Sequence, residues 1–326
     1  MNNDRDSRRR EWWNRQKNHP PFNPSGHRRK AGHDYRGCCI YMITLVSKDR
    51  KPLLGTLRDS DNSNPDPWIE FSPLGHEVFK LWHNIPDYHP EIKMLRVCIM
   101  PDHLHGILHV TKPLSCHLGN VINGFKKGCN DVSRERFGDV LWETGYHDRI
   151  LTGKGQLDAM FKYLDDNPRR LWIKRNHPEY FTVHRDVNVG NRQLAIAGNY
   201  FMLNYPLKTA VICSRSMSDE DIEKAVVKHL VLAQRGLVLV SPCISPGEKR
   251  IMRAAFDAGF PQIVLLENGF SKMWKPSGAQ FDACARGQLL LISPWAHHSQ
   301  RTTITREQCL ELNEIAREIA AIITMD

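Results

Sequence analysis

Apolar positions along residues 38–167 change period several times, and each change marks a predicted element. CCIYMITLV (38–46) is a near-continuous apolar run that predicts a strand, and KDRKPLLGTL predicts a turn and a second strand. The polar stretch DSDNSNPDP (59–67) predicts a loop. In PLGHEVFKLWHNIP, Val78, Leu81, Trp82 and Ile85 recur at helical spacing. VCIMPDHLHGILHV (97–110) reads as a single buried strand. LGNVINGFKKGCNDVSRERF predicts a helix, LWETGYHDRIL a short strand, and GQLDAMFKYLDDN a last helix ending at Asn167, because Pro168 disfavours helical geometry before it. This order predicts an α+β domain, an antiparallel sheet with helices on one face.

The pattern changes further along. HRDVNVGNRQLAIAG (184–198) is polar and glycine-containing and reads as a linker. From about residue 199, apolar runs (LKTAVICSR, LVLVSPC, QIVLLENG, QLLLISP) alternate with amphipathic stretches (DEDIEKAVVKHLVLAQRG, SPGEKRIMRAAFDAG, TREQCLELNEIAREIAAIIT). Alternation of this kind predicts an α/β Rossmann-like domain with a parallel sheet. The expected layout is a leader over 1–35, a first domain over 36–183, a linker over 184–198 and a second domain over 199–326.

Composition narrows the classes. With 326 residues and 41% hydrophobic residues, the chain has room for two ordinary domains. No stretch has the length and apolarity of a membrane span, and the N-terminus lacks a signal-peptide core. The nine cysteines include no C-x-x-C spacing, and their odd number argues against a disulfide framework. A reducing cytoplasm is the expected location. Ten Lys/Arg stand against four Asp/Glu in residues 1–36. That basic, tryptophan-containing leader is expected to stay disordered until an acidic partner orders it, and nucleic acid is the natural candidate, with Arg28 and Arg29 as contacts.

The candidate chemistry begins at His103 and His105. Strand side chains alternate, so the two imidazoles share a face while Leu104 points to the opposite layer. His109 shares that face but lies roughly 13 Å along the strand, too far to share an ion. On the last predicted helix, Tyr163 and Asn167 are spaced i, i+4 at the flank of the stripe formed by Leu157, Met160, Phe161 and Leu164. Tyr146 is a rival phenol without such a partner, and Lys126 and Lys127 are candidate phosphate contacts.

IMPDHLHGILHV, FKKG (125–128), LWETGYHDRIL and KYLDDNP (162–168) follow one another in an order that resembles the HUH single-tyrosine transposases, in particular the REP-associated tyrosine transposase branch. HDYRGCCIYMITL is similar to that branch's entry into its first strand, and the resemblance spans roughly residues 33–175. Asp102 departs from the family's asparagine before the first histidine. The resemblance implies a ferredoxin-like HUH domain in which His103, His105 and Asn167 hold Mg²⁺ or Mn²⁺ and Tyr163 is the nucleophile. It further implies cleavage and rejoining of single-stranded or hairpin DNA through a 5′-phosphotyrosine intermediate, and it allows a homodimer as well as a monomer.

In the second half, AVICSR (210–215), LVLVSPCISPGEK (237–249), AFDAGFPQIVLLENGF (255–270) and LLLISPW (289–295) resemble the Rossmann-like domain of the DNA-processing protein A family. Ser241, Ser245 and Gly247 fall in a strand-to-helix loop, beside Ser214 and Arg215 and ahead of Lys249, and form a candidate phosphate-binding set. A non-catalytic binder of hairpin DNA and a nucleotide hydrolase centred on this second half are the alternative readings.

Overall fold

The structure is a computed structural model describing residues 29–61, 65–300 and 303–322. It divides into two compact units, Met1–Arg170 and Leu171–Asp326.

The first unit is built on a four-stranded antiparallel sheet of β1 (Cys39–Val46), β4 (Ile92–Met100), β5 (His103–Val110) and β6 (His147–Leu151), in the order β4-β5-β1-β6. β2 (Gly55–Arg58) and β3 (Trp68–Phe71) form a separate hairpin. Helices α1 (Pro73–His83), α2 (Ile85–Tyr88) and α3 (Leu118–Phe137) complete the β-α-β-β-α-β succession of a ferredoxin-like sheet. α1 starts where Ser72 caps the Gly75 N–H and Pro73 pre-sets the first turn. Its buried Leu74, Val78 and Trp82 lie one turn apart.

Alternation along the strands separates two packing layers. Tyr41, Ile43, Leu45, Leu104, Leu108 and Val110 join Trp82, Val121, Ile122 and Phe125 of α1 and α3 in the larger core. Ile40, Met42 and Ile107 face the other way and pack with Leu157, Met160, Phe161 and Leu164 of α4 (Gln156–Asn176). Helices therefore cover both faces of this sheet, not one. Behind the histidines, Gly106 lies so close to Trp82 that a Cβ there would meet the indole Cζ2 at 2.1 Å.

Two further expectations are corrected here. The run 97–110 is not one strand, because Pro101 and Asp102 turn the chain between β4 and β5. α4 does not stop at Asn167 but runs through Pro168 to Asn176. A proline in a helix forfeits one bond to the carbonyl four residues back, here Leu164. Burial of Leu164 on one side and Ile173 on the other outweighs that loss.

The second unit holds a six-stranded sheet in the order β7-β8-β12-β11-β10-β9. β9 (Lys208–Ala210), β10 (Val238–Ser241), β11 (Gln262–Leu265) and β12 (Leu289–Ser293) run parallel. β8 (Arg192–Gly198) joins β12 antiparallel, and β7 (Val183–Val189) pairs with β8. The sheet is thus mixed, and residues 184–198 are not a linker but the strands that extend one side of it. Gly190 and Asn191 make the tight turn, with Gly190 at φ +59°. The units part between Arg170 and Leu171, ahead of the boundary expected at 183.

Both faces of the parallel strands are covered, which explains their unbroken apolar runs. Val238, Val240, Leu290 and Ile292 pack with Leu312, Ile315 and Ile319 of α8 (Arg306–Ala321). Leu239 turns the other way, to Ala233 of α5 (Asp219–Gln234) and Ile251 and Ala255 of α6 (Pro246–Asp257). Leu289 and Leu291 meet Phe281 and Cys284 of α7 (Ala279–Ala285). Among the described residues no helix is long and apolar enough to cross a membrane, and all nine cysteines are free thiols.

Candidate functional site

His103 and His105 lie on the α4-facing side of β5, with ring centroids 4.8 Å apart and planes at 78°. Pairing places His105 between Thr44 of β1 and Cys98 of β4, and His103 between Val46 and Met100. Each Nδ1 is engaged: His103 Nδ1 donates to Asp102 Oδ1 at 2.6 Å, and His105 Nδ1 is hydrogen-bonded to Thr44 Oγ1 at 2.8 Å. These contacts fix ring orientation and leave both Nε2 atoms for another ligand, the outer-shell arrangement usual for metal-binding histidines.

Charge states favour the same role. Burial, helped by the neighbouring His103, pulls His105 down to about 3, so its ring is neutral near pH 7. For Asp102, burial acts to raise the carboxyl, but the His103 hydrogen bond and Arg50 outweigh it and hold it below its ordinary range. Arg50 reaches Asp102 Oδ2 at 3.1 Å. Burial, with Asp165 adding to it, pushes the Cys98 thiol up to about 12, which keeps it out of thiolate chemistry.

Tyr163 presents its ring to His105 at 5.6 Å between centroids, with the planes at 63°. Asn167, one turn further along α4, is 8% exposed, and its Nδ2 has no hydrogen-bond partner. Two imidazoles with spare Nε2 atoms fit a divalent cation such as Mg²⁺ or Mn²⁺; the Asn167 amide can join them only through its Oδ1, because the unmet Nδ2 is a hydrogen-bond donor. Among the described residues no group of three or more His, Cys, Asp or Glu side chains is arranged to hold a metal.

Other expected residues have different surroundings. Tyr146 is 4% exposed within the larger core, and burial pushes its hydroxyl up to about 12, which removes it as a nucleophile. Arg29 lies over the Tyr146 ring at 3.5 Å and is paired with Asp148 at 2.6 Å, so it is tied to this unit. Tyr35, inside the expected leader, is buried and donates to Asp148 Oδ2. Arg28 and the rest of the leader before Arg29 lie outside the described residues. Lys126 Nζ donates to the carbonyls of Glu143 and Gly145, each at 2.7 Å, and so holds the loop before β6. Lys127 is exposed.

In the second unit the expected phosphate loop is filled from within. Glu248, 2% exposed, accepts from the backbone N–H groups of Cys213, Ile244 and Ser245. Ser245 caps α6 in a reciprocal pairing with Glu248, and Ser241 Oγ donates to the Val211 carbonyl. A Cβ on Gly247 would come within 3.1 Å of Cys213 Cβ, so this glycine permits close helix packing. Ser214 Oγ bonds Ser216 Oγ, Arg215 reaches Cys309 Sγ, and Lys249 is exposed on α6. A carboxylate of the chain occupies the amides a phosphate would use.

Sequence reasoning missed Thr44, Cys98 and Arg50. Thr44 had a signal, being the lone polar residue on the Ile40–Met42–Thr44 face of β1. Arg50 had none, because its partnership depends on the turn after β4.

No family model matches this chain. An uncharacterized protein of Haemophilus influenzae is 25% identical over 177 residues, covering 46% of this chain and 93% of that protein. Among solved structures, a REP-associated tyrosine transposase bound to a REP hairpin is similar over 44% of this chain and 74% of its own, at 14% identity and a TM-score of 0.31. DNA processing protein A from Helicobacter pylori, described for its single-stranded DNA binding mode, is similar over 43% of this chain and 65% of its own, at 15% identity and a TM-score of 0.33. The architecture above rests on this chain's own strands and helices.

Proposed function

We propose that this chain cleaves and rejoins single-stranded DNA with Tyr163 as nucleophile. His103, His105 and Asn167 would hold a divalent cation, Mg²⁺ or Mn²⁺. The observation that carries this reading is the meeting of a phenol from α4 with two orientation-locked imidazoles from β5. The order of the IMPDHLHGILHV, FKKG, LWETGYHDRIL and KYLDDNP segments supports it.

The chemistry balances without an energy source. The Tyr163 oxygen loses its proton and attacks the phosphorus, the P–O3′ bond breaks, and the departing 3′ oxygen takes up a proton. A 5′-phosphotyrosine and a free 3′-OH result, and attack by a 3′-OH on that phosphorus reverses the exchange. When bound, the cation supplies charge neutralisation at the phosphate oxygens. Asp102 and Thr44 keep the imidazoles in register, and the half-buried setting of Tyr163 on α4 limits its positions.

The test uses the full chain, a 3′-labelled hairpin oligonucleotide and Mn²⁺. The expected result is a labelled covalent adduct, stable to denaturing electrophoresis and lost with Tyr163→Phe, with His103→Ala and with EDTA. Tight binding without an adduct would replace this reading with a non-catalytic DNA binder. Breakdown of free nucleotides alone would replace it with a hydrolase.

A further inference from the structure

A cavity of about 450 Å³ in the second unit is walled by Lys174, Arg185, Lys272 and Lys275 together with Phe181 and Trp274, and no acidic side chain lines it. From this cationic and aromatic lining we infer that the cavity is a nucleotide site, taking a flat base that carries phosphate. The inference goes beyond the function proposed above, since it concerns a different unit and needs neither Tyr163 nor a metal.

Arg185, Lys272 and Lys275 bring like charges to one hollow, and an anion relieves their repulsion. The aromatic walls are fixed in place. Phe181 stacks on Phe281 at 4.6 Å, and Trp274 meets Phe270 edge-on at 4.6 Å. Arg185 donates to the carbonyls of Phe270 and Ser271, pinning the loop that carries Lys272, Trp274 and Lys275. Lys174 Nζ lies 5.4 Å from the Phe281 ring centroid. Cations and rings thus line one hollow, the pairing that holds single-stranded nucleic acid through its phosphates and base faces. The volume lies within the roughly 300–1,000 Å³ of small-ligand sites. An inorganic anion alone would leave the aromatic walls unused.

A free nucleotide and one unit of a single strand offer the same chemistry, so the experiment separates them. A 5-iododeoxyuridine oligonucleotide is photo-crosslinked to the full chain in EDTA, and the modified peptide is mapped by mass spectrometry. The expected crosslink falls on Trp274, is unchanged in Tyr163→Phe, and drops about tenfold in the Lys272→Ala/Lys275→Ala double variant. Loss of that crosslink on adding millimolar ATP assigns a free nucleotide as ligand; persistence assigns the strand. Trp274→Phe should retain oligonucleotide affinity, whereas Trp274→Ala should lose about tenfold, read at a temperature where circular dichroism shows both variants folded. A crosslink map without Trp274, or equal affinity in all variants, overturns the proposal.

Discussion

The carboxylate of Asp102 accepts a hydrogen bond from the Nδ1 of His103 at 2.6 Å, and the same side chain is held from its other side by Arg50 at 3.1 Å. This chain places a charge where the resembling family has an amide. The charge orients the ring through that hydrogen bond.

Asp102→Ala should therefore lower Mn²⁺ affinity about 10–100-fold, read by isothermal titration on the full chain. Asp102→Asn should lose less, because its Oδ1 still accepts from Nδ1. Equal losses in both variants would mean that charge alone matters.

His105 gives the metal-free protein a pH dependence with a fixed sign. Its folded-state value of about 3 lies well below the ordinary value near 6.5, so the unfolded chain binds a proton first as pH falls. The stability contribution is complete above about pH 6.5 and is lost progressively toward pH 3, at up to about 1.4 kcal/mol per pH unit. Urea titrations in EDTA at pH 7, 6 and 5 should show this fall, and His105→Gln should flatten it.

Adjacent lysines on α3 should behave differently. Lys126→Ala strips two carbonyls at the surface of a charged donor, which water can replace, and should cost about 0.5–1.5 kcal/mol in chemical denaturation. Lys127→Ala should stay within about 0.5 kcal/mol and, where Lys127 touches phosphate, reduce the salt slope of single-strand binding by about 0.7.

Glu248→Ala would leave three backbone N–H groups without their acceptor, a loss of about 3 kcal/mol or more. Sulfate should then raise the melting temperature of the variant by more than that of the parent chain, by occupying those amides. A variant indifferent to sulfate would show that the loop collapses once the carboxylate is gone.

Period and spacing made much of the site readable. A histidine pair split by Leu104 could be placed on one sheet face by alternation alone, and Tyr163 with Asn167 on one helix flank by the i, i+4 rule. What failed depended on pairing. Pro101 and Asp102 lie inside an apolar run, so the turn between β4 and β5 left little trace in hydropathy. β7 occupies the end of its sheet and needs few apolar residues, so it read as linker, although Gly190–Asn191 between two extended runs is a hairpin signature. The helix-ending rule at Pro168 lost to burial on both sides of it. The loop holding Ser241, Ser245 and Gly247 is a different case, because a strand-to-helix loop built to hold an anion looks the same in sequence when the chain supplies its own, here Glu248.

Gly106 gives the last consequence. With an indole ring pressed against its α-carbon from behind, β5 has no slack directly next to His105. A random mutagenesis screen scored only for strand cleavage should return hits at Gly106 and Trp82. Neither lies on the histidine-bearing face, and both would masquerade as members of the proposed catalytic set until their folding was assayed.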